Sequence, residues 1–545
     1  MKSRRIIRVL LFLLFAVLAL AVWGCANSGD DDDDSGSDDD AADDDAADDD
    51  DNDQSDDDSG DDTAGGTIVL NEIDCHGRDW VELVNTSAAE IDISGWYVAD
   101  DLTEDGHQYE VPAGSVVQPD EHYVIKQEED LEEGFTFGLK CAEDTVYLLD
   151  SSMNVMAQET IGEVPDGSTW GRLPDVTGDW QETSPTQGET NQEPYSSSST
   201  FFNPLTINTV RITLSDGAVT SLTNEPYEFV EGQIQVVSGE VTSDLLTVGV
   251  RLKSGESFQP ITGKAAFKIK INEYDTTARL FGLKGFSLNN MIDDPTMMHE
   301  TLAYTIFRGI GIPAIRAGYA WVLVNGEARG LYATIENYDD VFAAFQFENT
   351  SHVYEGTADL DSTHVGQIDV DEGDESDRQD LLTLVDVLNN TADDSWTAAV
   401  AALFDFDLFL DLWAVENYIG QTDGYAQAAN NYFLHSDNDG YFTMMPWGTD
   451  RAFTDKPAFP SGTSIVCSRC LGISGCADLY DTALPTIVAA IENLDPDTLI
   501  TEIDSTIASH VQDDEYAQYT YAEYQAAVAG LREYLADRPD EASAI

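Results

Sequence analysis

Positively charged side chains are scarce in this sequence. Its 545 residues include 25 Lys and Arg against 104 Asp and Glu, a formal net charge of −79 at pH 7. A nucleic-acid binder needs a basic surface to meet the phosphate backbone, so this balance argues against a nucleic-acid partner. It also argues against attachment to anionic lipid by charge alone. The hydrophobic fraction of 42% is that of a folding chain, and the length suggests two to four domains.

The N-terminal apolar run is too short for a membrane span. Four basic residues precede an uninterrupted apolar run from Val9 to Val22, which has the length of a signal-peptide core. We therefore predict a signal peptide over residues 1–24 and an exported protein. The run leads into Gly24-Cys25, which resembles the cleavage box of bacterial lipoproteins; the alternative is an ordinary signal peptide followed by an incidental cysteine. Lipidation of Cys25 would anchor the chain to a membrane in the cell envelope, at the outer membrane or the cell surface.

No basic or aromatic residue occurs between Asp30 and Asp62, where 21 of the residues are Asp. Such a segment has nothing to bury and repels itself, so residues 25–65 are predicted to be the lipidated Cys25 followed by an extended, disordered linker. Removing these Asp and the four basic residues of the signal segment leaves 21 basic and 83 acidic residues, a net charge of −62. We therefore expect the folded domains themselves to be acidic.

Cysteine is also rare, and its use fits an exported protein. The six cysteines are Cys25, Cys75, Cys141, Cys467, Cys470 and Cys476. In an oxidising compartment, Cys75 and Cys141 are candidates for a disulfide in the first folded domain. Cys467 and Cys470 have the CxxC spacing of zinc ligands, but no second pair of ligands completes a tetrahedral site. We therefore favour a local disulfide between Cys470 and Cys476.

Short strand-like segments follow one another from residue 66 to residue 192, with no convincing helix. Examples are 67–70, 80–84, 96–98, 123–125 and 145–149. This many short strands in roughly 125 residues predicts a β-sandwich.

Four pieces of this domain resemble the lamin-tail domain, an immunoglobulin-like sandwich. They are Leu70-Asn71-Glu72-Ile73, Trp80-Val81-Glu82-Leu83-Val84-Asn85, Ile93-Ser94-Gly95-Trp96 and Asp166-Gly167-Ser168-Thr169-Trp170-Gly171-Arg172. The resemblance implies a non-catalytic module for adhesion or positioning.

A cluster of basic side chains stands out in the next part of the chain. The Ser-rich stretch after Pro194 predicts a linker over residues 193–203, and the second domain is expected to cover residues 204–541. The cluster consists of Arg251, Lys253, Lys264, Lys268 and Lys270. Its natural partner is an anion, and phosphate is the common one. The alternative is that these side chains lie on the solvated faces of edge strands.

Asp and Asn residues recur in a specific order between positions 421 and 453. A predicted helix from about Asp405 to Tyr418 delivers Asp423, and a hairpin centred near Asn438 should bring Asn431 close to Asp450. Protein kinases use the same order of a catalytic Asp, a metal-holding Asn and a metal-holding Asp. Mg²⁺ prefers oxygen ligands and bridges such groups to a triphosphate. The alternative is a purely structural hairpin with ordinary turn residues.

Many motifs from about residue 208 to residue 538 resemble the CotH family, spore coat protein H and its relatives. They include Leu283-Lys284-Gly285-Phe286-Ser287-Leu288-Asn289-Asn290, Asp294-Pro295-Thr296-Met297-Met298-His299-Glu300, Asp423-Gly424-Tyr425, Asn430-Asn431-Tyr432 and Pro446-Trp447-Gly448-Thr449-Asp450. The resemblance implies an α+β atypical protein-kinase-like domain after the β-sandwich, and therefore a multidomain protein.

The resemblance also assigns roles to individual residues. Asp423 would be the catalytic Asp, while Asn431 and Asp450 would hold Mg²⁺ or Mn²⁺. The residues expected to face the phosphates of ATP, or to pair with a Lys that does so, are Arg251, Lys253, Lys264, Lys268 and Glu300. Many family members have Trp-Asp-x-Asp where this chain has Trp447-Gly448-Thr449-Asp450, so this chain lacks the first Asp of that motif.

Two classes of function follow. The first is an exported, surface-anchored kinase that transfers the γ-phosphate of ATP to Ser or Thr of envelope or surface proteins. The alternative is a non-catalytic surface scaffold or adhesion protein with a kinase-like domain. ATP is scarce outside the cytoplasm, which favours the alternative.

Overall fold

The computed structural model describes residues 68–544, except residues 105, 129–133, 166 and 256. The predicted signal peptide, Cys25 and the acidic linker therefore lie outside the described residues. Within the described ranges, no helix is both long enough and apolar enough to span a membrane. The described chain has a β-rich N-terminal part followed by a mixed α/β part.

The N-terminal part consists of short antiparallel strands, and its described residues from 68 to 192 contain no helix, as predicted. Its strands are β1 (Ile68–Asp74), β2 (Trp80–Asn85), β3 (Ile91–Asp92), β4 (Tyr97–Ala99), β5 (Gln108–Glu110), β6 (Val116–Val117), β7 (His122–Lys126), β8 (Thr145–Leu149), β9 (Val155–Thr160), β10 (Thr169–Leu173) and β11 (Asp179–Thr183). They form a five-stranded sheet (β11-β10-β1-β2-β7), a four-stranded sheet (β5-β4-β8-β9) and the pair β3-β6. A disulfide joins Cys75 to Cys141 in this part.

The segment 193–203 corrects the linker prediction. Tyr195 and Ser198 of a short 3-10 helix are buried, and Phe201 and Phe202 are buried as well. The guanidinium of Arg316 lies 3.7 Å from the centre of the Tyr195 ring. The Ser-rich composition suggested a flexible connection, but the aromatic side chains within it are buried against the second domain.

The second part begins with a sheet that closes on itself. Its strands are β12 (Ile207–Leu214), β13 (Val230–Ser238), β14 (Val241–Thr242), β15 (Leu246–Leu252), β16 (Phe267–Lys270), β17 (Gly285–Asn289), β18 (Ala317–Val324) and β19 (Glu327–Glu336). The order is β12-β18-β19-β17-β16-β15-β13-β14, and β12 also pairs with β13, so all strands except β14 form a closed ring. Alternate apolar side chains point inward, as the burial of Val210, Ile212 and Leu214 along β12 illustrates. We call this ring the barrel.

Helices and a second sheet complete the chain. The helices are α1 (Asp216–Asn224), α2 (His299–Gly309), α3 (Asp340–Gln346), α4 (Gln379–Asn390), α5 (Asp393–Val400), α6 (Phe406–Ile419), α7 (Tyr425–Ala428), α8 (Ile465–Gly472), α9 (Ser474–Asn493), α10 (Pro496–Asp513) and α11 (Tyr521–Ala542). The second sheet has the order β21-β20-β22-β23 and contains β20 (His352–Gly356), β21 (Asp369–Glu372), β22 (Tyr432–Ser436) and β23 (Phe442–Pro446). In α6, every residue except Asp407 and Asp411 is buried. A helix that is apolar all round belongs in the core.

Several predicted elements are found close to their expected positions. The helix predicted from Asp405 to Tyr418 is α6, which Asp405 caps by accepting a hydrogen bond from the backbone N–H of Leu408. The hairpin around Asn438 is β22–β23, with Tyr432 opposite Pro446. The acidic stretch 359–380 contains strand β21.

A buried ion pair joins the barrel to the C-terminal helices. The ammonium of Lys264 lies 2.6 Å from Asp514, in the connection between α10 and α11, and both side chains are almost fully buried. Asp514 also accepts the backbone N–H of Leu331 in β19 at 3.0 Å. Burial lowers the pKa of Lys264, while Asp514 acts in the opposite direction. Lys264 is therefore a structural residue, which corrects the expectation that it faces phosphate.

Two glutamates lie opposite each other in the core of the N-terminal part. Glu72 on β1 and Glu82 on β2 are partners in register, and both are fully buried. Desolvation raises the pKa of Glu72 from 4.5 to about 8, against hydrogen bonds from Thr169 and Thr186 that lower it. Desolvation also raises the pKa of Glu82. The folded domain therefore takes up protons that the unfolded chain releases.

We predict that Asp514→Ala destabilises the protein by about 3–5 kcal/mol, because it leaves a buried ammonium without a partner. Urea unfolding of the full chain measures this. Arg532→Ala is the matched control, since it breaks the exposed Arg532–Asp497 pair between α10 and α11, the two helices that the segment with Asp514 connects. This variant should cost less than about 1 kcal/mol. The double variant Lys264→Met/Asp514→Leu should recover most of the loss. Equal effects of Asp514→Ala and Arg532→Ala would contradict this role.

We predict that stability falls as the pH rises from about 4.5 to about 8, because Glu72 ionises in the unfolded chain across this window while the buried carboxyl of the folded chain stays protonated. Below this window the carboxyl is neutral in both states, and above it the penalty is constant. In Glu72→Gln the loss between pH 4.5 and pH 8 should be smaller, by on the order of 5 kcal/mol for a shift of this size. Urea unfolding at both pH values tests this, with the exposed Glu143→Gln as control. Identical pH dependence in wild type and Glu72→Gln would refute the assignment.

Candidate functional site

A cavity of about 680 Å³ in the second part of the chain is lined by most of the predicted site residues. Barrel strands β15, β16, β17 and β19, the start of α2 and the loops around Asp423 and Asp450 contribute to its walls. The charged side chains lining it are Arg251, Lys253, Lys268, Asp293, Asp294, Glu300, Glu355, Asp371, Asp423, Asp450 and Arg451. We call it the central cavity. Carboxylates outnumber cations in its lining.

The end of α6 positions Asp423. Gly420 adopts a left-handed conformation with φ of 67° and stops the helix, so the chain turns into the segment 421–424. The carboxylate of Asp423 accepts hydrogen bonds from Asn430 Nδ2 at 3.3 Å and from Asn431 Nδ2 at 2.8 Å. Asn431 also donates to the backbone oxygen of Asp423 at 3.1 Å. The two asparagines therefore fix the orientation of this carboxylate.

The β22–β23 hairpin brings the second and third predicted residues together. The pairing of Tyr432 with Pro446 places Asn431 and Trp447 side by side, and the backbone N–H of Trp447 donates to the backbone oxygen of Asn431 at 3.1 Å. The residues 447–450, which we call the return loop, then lead to Asp450. Asp423, Asn431 and Asp450 thus line one cavity, although they lie up to 27 positions apart in sequence.

The local structure explains why position 448 is a glycine in this chain. Its φ is +56°, and a Cβ atom at this position would lie 2.7 Å from Cγ of Asn431. Asn431 itself has a φ of 50°, which is uncommon for a residue with a side chain. An aspartate at position 448 would therefore collide with Asn431 in this conformation. The side-chain amide of Asn431 packs against Gly448 where a Cβ atom would lie.

A lysine and a glutamate in the cavity are connected through an asparagine. Lys253, just after β15, donates to Oδ1 of Asn289, and Nδ2 of Asn289 donates to both oxygens of Glu300 at 2.7 and 2.8 Å. Sequence reasoning named Lys253 and Glu300 but missed Asn289. The only signal for it was its place in a quoted motif, which gave no reason to prefer it over its neighbour Asn290.

The carboxylates and the lysine share a poorly solvated space. Desolvation raises the pKa of Glu300 to about 7, and the nearby Asp450 adds to this rise. Desolvation likewise raises the pKa of Asp450, although Lys253 acts in the opposite direction. The pKa of Lys253 is lowered by desolvation. Clusters of shifted pKa values are typical of functional sites.

The remaining predicted residues fall into two groups. Arg251 and Lys268 line the central cavity with Lys253, whereas Lys264 is buried against Asp514 and does not. Arg251 also lies over the ring of Phe229 at 5.3 Å.

The other cysteines of the second part and two of its histidines make structural contacts. Cys470 and Cys476 form a disulfide, and Cys467 is a buried free thiol. His299 is hydrogen-bonded through Nδ1 to the Asp450 backbone oxygen at 2.8 Å. His435 stacks on Phe347, and burial lowers its pKa to about 4.

An aromatic wall lies beside the basic residues. Tyr338, Phe433 and Trp447 all line the cavity, with ring centres 4.7 Å apart for Tyr338–Phe433 and 5.5 Å apart for Phe433–Trp447. Nζ of Lys253 lies 5.9 Å from the centre of the Trp447 ring. The cavity therefore offers aromatic surface next to the ammonium of Lys253.

Each part of the chain matches a known family. Residues 61–163 match the Lamin Tail Domain family. The β-rich N-terminal part is therefore a lamin-tail, immunoglobulin-like domain.

Three relatives carry spore-coat names. Inner spore coat protein H of Bacillus subtilis (strain 168) is 24% identical over 183 residues, which cover 31% of this chain and 50% of the relative. Spore coat protein homolog 1 of Rhizopus delemar is 24% identical over 242 residues, 38% of this chain and 39% of the relative. The Inner spore coat protein H-like protein of B. subtilis is 41% identical over 59 residues, 11% of this chain and 19% of the relative. The chain spans about a fifth to a half of the length of these curated relatives.

Residues 254–541 match the family described as CotH kinase protein. The matched range contains Asp423, Asn431 and Asp450, whereas Arg251 and Lys253 lie just before it. Because this range covers more than half of the chain, the protein belongs to the CotH kinase protein family.

Proposed function

We propose that this chain is an exported protein kinase that transfers the γ-phosphoryl group of ATP to a Ser or Thr hydroxyl of an envelope or surface protein, with Mg²⁺ or Mn²⁺. One observation carries the proposal. Asp423, Asn431 and Asp450 line the same cavity as Arg251, Lys253 and Lys268. Phosphoryl transfer depends on positioning and on neutralising phosphate charge, and this cavity has groups for both.

Asp423 is the residue suited to accept the proton of the acceptor hydroxyl. Its carboxylate is held by Asn430 and Asn431, and it lines the cavity. As the hydroxyl oxygen bonds to the γ-phosphorus, its proton passes to Asp423, and the β–γ bridging oxygen leaves with ADP. A base in fixed orientation needs no rearrangement at the moment of transfer.

Asn431 and Asp450 would hold the cation. Nδ2 of Asn431 is committed to Asp423, which leaves its Oδ1 for a metal ion. Amide and carboxylate oxygens are the donors that Mg²⁺ and Mn²⁺ prefer, so this donor set fits. A divalent ion bound there would neutralise the charge between the carboxylates and the phosphates of ATP.

The barrel side of the cavity suits the nucleotide. Lys253 and Lys268 offer positive charge to phosphate oxygens, and the Asn289–Glu300 connection holds Lys253 in place. Trp447 beside Lys253 offers a ring on which a purine base stacks. These groups supply the cationic surface that the chain as a whole lacks.

Location is part of the proposal. The signal-peptide pattern and Cys25 support export and a lipid anchor, and the spore-coat names of the relatives support a surface or envelope position. The lamin-tail domain then serves to position or attach the CotH domain.

Asp423→Asn should lower the rate of phosphoryl transfer by at least about 100-fold, because it removes the base. Asp450→Asn should abolish transfer by weakening the metal site. Incorporation of label from [γ-³²P]ATP into a Ser/Thr peptide library, with the full-length exported chain and Mg²⁺ or Mn²⁺, measures both. Asp439→Asn, an exposed residue in the turn of the β22–β23 hairpin, is the matched control and should behave as wild type. Equal incorporation by all four proteins, or none by wild type with either metal, would count against a kinase.

Gly448→Ala should weaken Mn²⁺ binding, because the added Cβ displaces Asn431. Gly440→Ala provides a control for backbone strain. Gly440 has a φ of 74°, but a Cβ there would meet nothing closer than 3.7 Å. We expect the Mn²⁺ dissociation constant, measured by calorimetry, to rise by about tenfold or more in Gly448→Ala alone. The same rise in both variants would show that strain, and not Asn431, is responsible.

A further inference from the structure

Two buried polar side chains outside the central cavity hold the segment that carries Asp423. Glu416 in α6 and Gln421 just after it are each only 1% exposed, and neither lines the cavity. Glu416 is the one acidic residue that α6 buries. A carboxylate in such a position is expected to have strong hydrogen-bond partners, because an unpaired one is too costly to bury.

Glu416 binds the backbone immediately after Asp423. Its Oε1 accepts the N–H of Tyr425 at 3.2 Å, and its Oε2 accepts the N–H of Ala426 at 2.8 Å. A Cβ atom at Gly424 would lie 2.5 Å from Oε1 of Glu416, so glycine at this position permits the approach. The carboxylate therefore anchors the chain on the C-terminal side of Asp423 to α6.

Gln421 binds the return loop, which carries Asp450. Its Nε2 donates to the backbone oxygen of Gly448 at 2.8 Å and to that of Trp447 at 3.3 Å. Its backbone N–H donates to the backbone oxygen of Glu416 at 2.8 Å. Gln421 thus connects the end of α6 directly to the return loop that leads to Asp450.

We propose that Glu416 and Gln421 are positioning residues for phosphoryl transfer: Glu416 fixes Asp423 to α6, and Gln421 sets the spacing between Asp423 and Asp450. The inference rests on the proposed function, in which these two aspartates act on one nucleotide. The two side chains touch neither nucleotide nor metal and act through the backbone. Displacement of a catalytic group by about 1 Å is enough to lower a rate 100-fold, so a rigid connection between the two loops has a functional consequence.

The geometry is tested first without metal or ATP, by hydrogen–deuterium exchange of the full chain. Glu416→Ala should increase the exchange rate of the Tyr425 and Ala426 amides by at least tenfold, with Glu416→Gln in between because its amide oxygen still accepts one N–H. Amides of the barrel strand β12 serve as the internal reference and should not change. Unchanged protection at Tyr425 and Ala426 in Glu416→Ala would overturn the role of Glu416.

The functional consequence is tested with Gln421→Glu, which places a carboxylate against two backbone oxygens. The Mn²⁺ dissociation constant should rise about 10- to 100-fold, as is usual when a residue supporting metal ligands is changed. The ratio of variant to wild type should shrink as the pH falls, since a protonated carboxyl again donates a hydrogen bond. Gln427→Glu in α7 is the matched control, because its amide contacts Asn417 and not the return loop.

The outcomes separate the two hypotheses. Mn²⁺ binding by Gln421→Glu that equals that of wild type and Gln427→Glu at every pH would overturn the role of Gln421. Wild type that binds Mn²⁺ no more tightly than Asp450→Asn would overturn the proposed function, and the exchange rates at Tyr425 and Ala426 would still decide whether Glu416 anchors the segment. A loss in Gln421→Glu that is independent of pH would indicate general disruption and would also count against the positioning role.

Discussion

The burial of helix α6 is the constraint on which the rest of the site depends. Because nearly all its residues are in the core, its position is fixed by packing on several sides. The helix ends at Gly420, and the segment that follows has little freedom left. Glu416 holds its far end, and Gln421 joins it to the return loop. The apolar packing of α6 therefore determines the position of Asp423, because a packed helix is more rigid than a surface loop.

Charge is the second constraint. The folded domains carry a large excess of carboxylates, and several of them face the central cavity. Desolvation and the nearby Asp450 raise the pKa of Glu300 to about 7, so negative charge in this site is unfavourable. Lys253 offsets part of this charge, and a divalent cation would offset more. An acidic protein that binds a nucleotide needs such a cation more than a neutral protein does.

Much of the fold follows from local patterns. The strands of the lamin-tail domain, helix α6 and the hairpin β22–β23 were all predictable, because alternation, helical spacing and turn residues act over short distances. The grouping of Asn431 with Asp450 was also predictable, since a hairpin brings the residues just before its first strand and just after its second strand to the same end. Composition misled where single side chains outweighed it: the Ser-rich segment at 193–203 is packed because Tyr195, Phe201 and Phe202 are buried.

The sequence by itself determined the order of the domains, the acidic character of the folded chain and the residue types of the candidate site. Only the tertiary structure decided which lysine serves which purpose. Lys253 and Lys264 belong to the same basic cluster in the sequence, yet the first reaches Asn289 in the cavity and the second is buried against Asp514, 250 positions away. The partner of a side chain depends on which distant segments the barrel and helices bring within about 3 Å, and no local pattern encodes that distance.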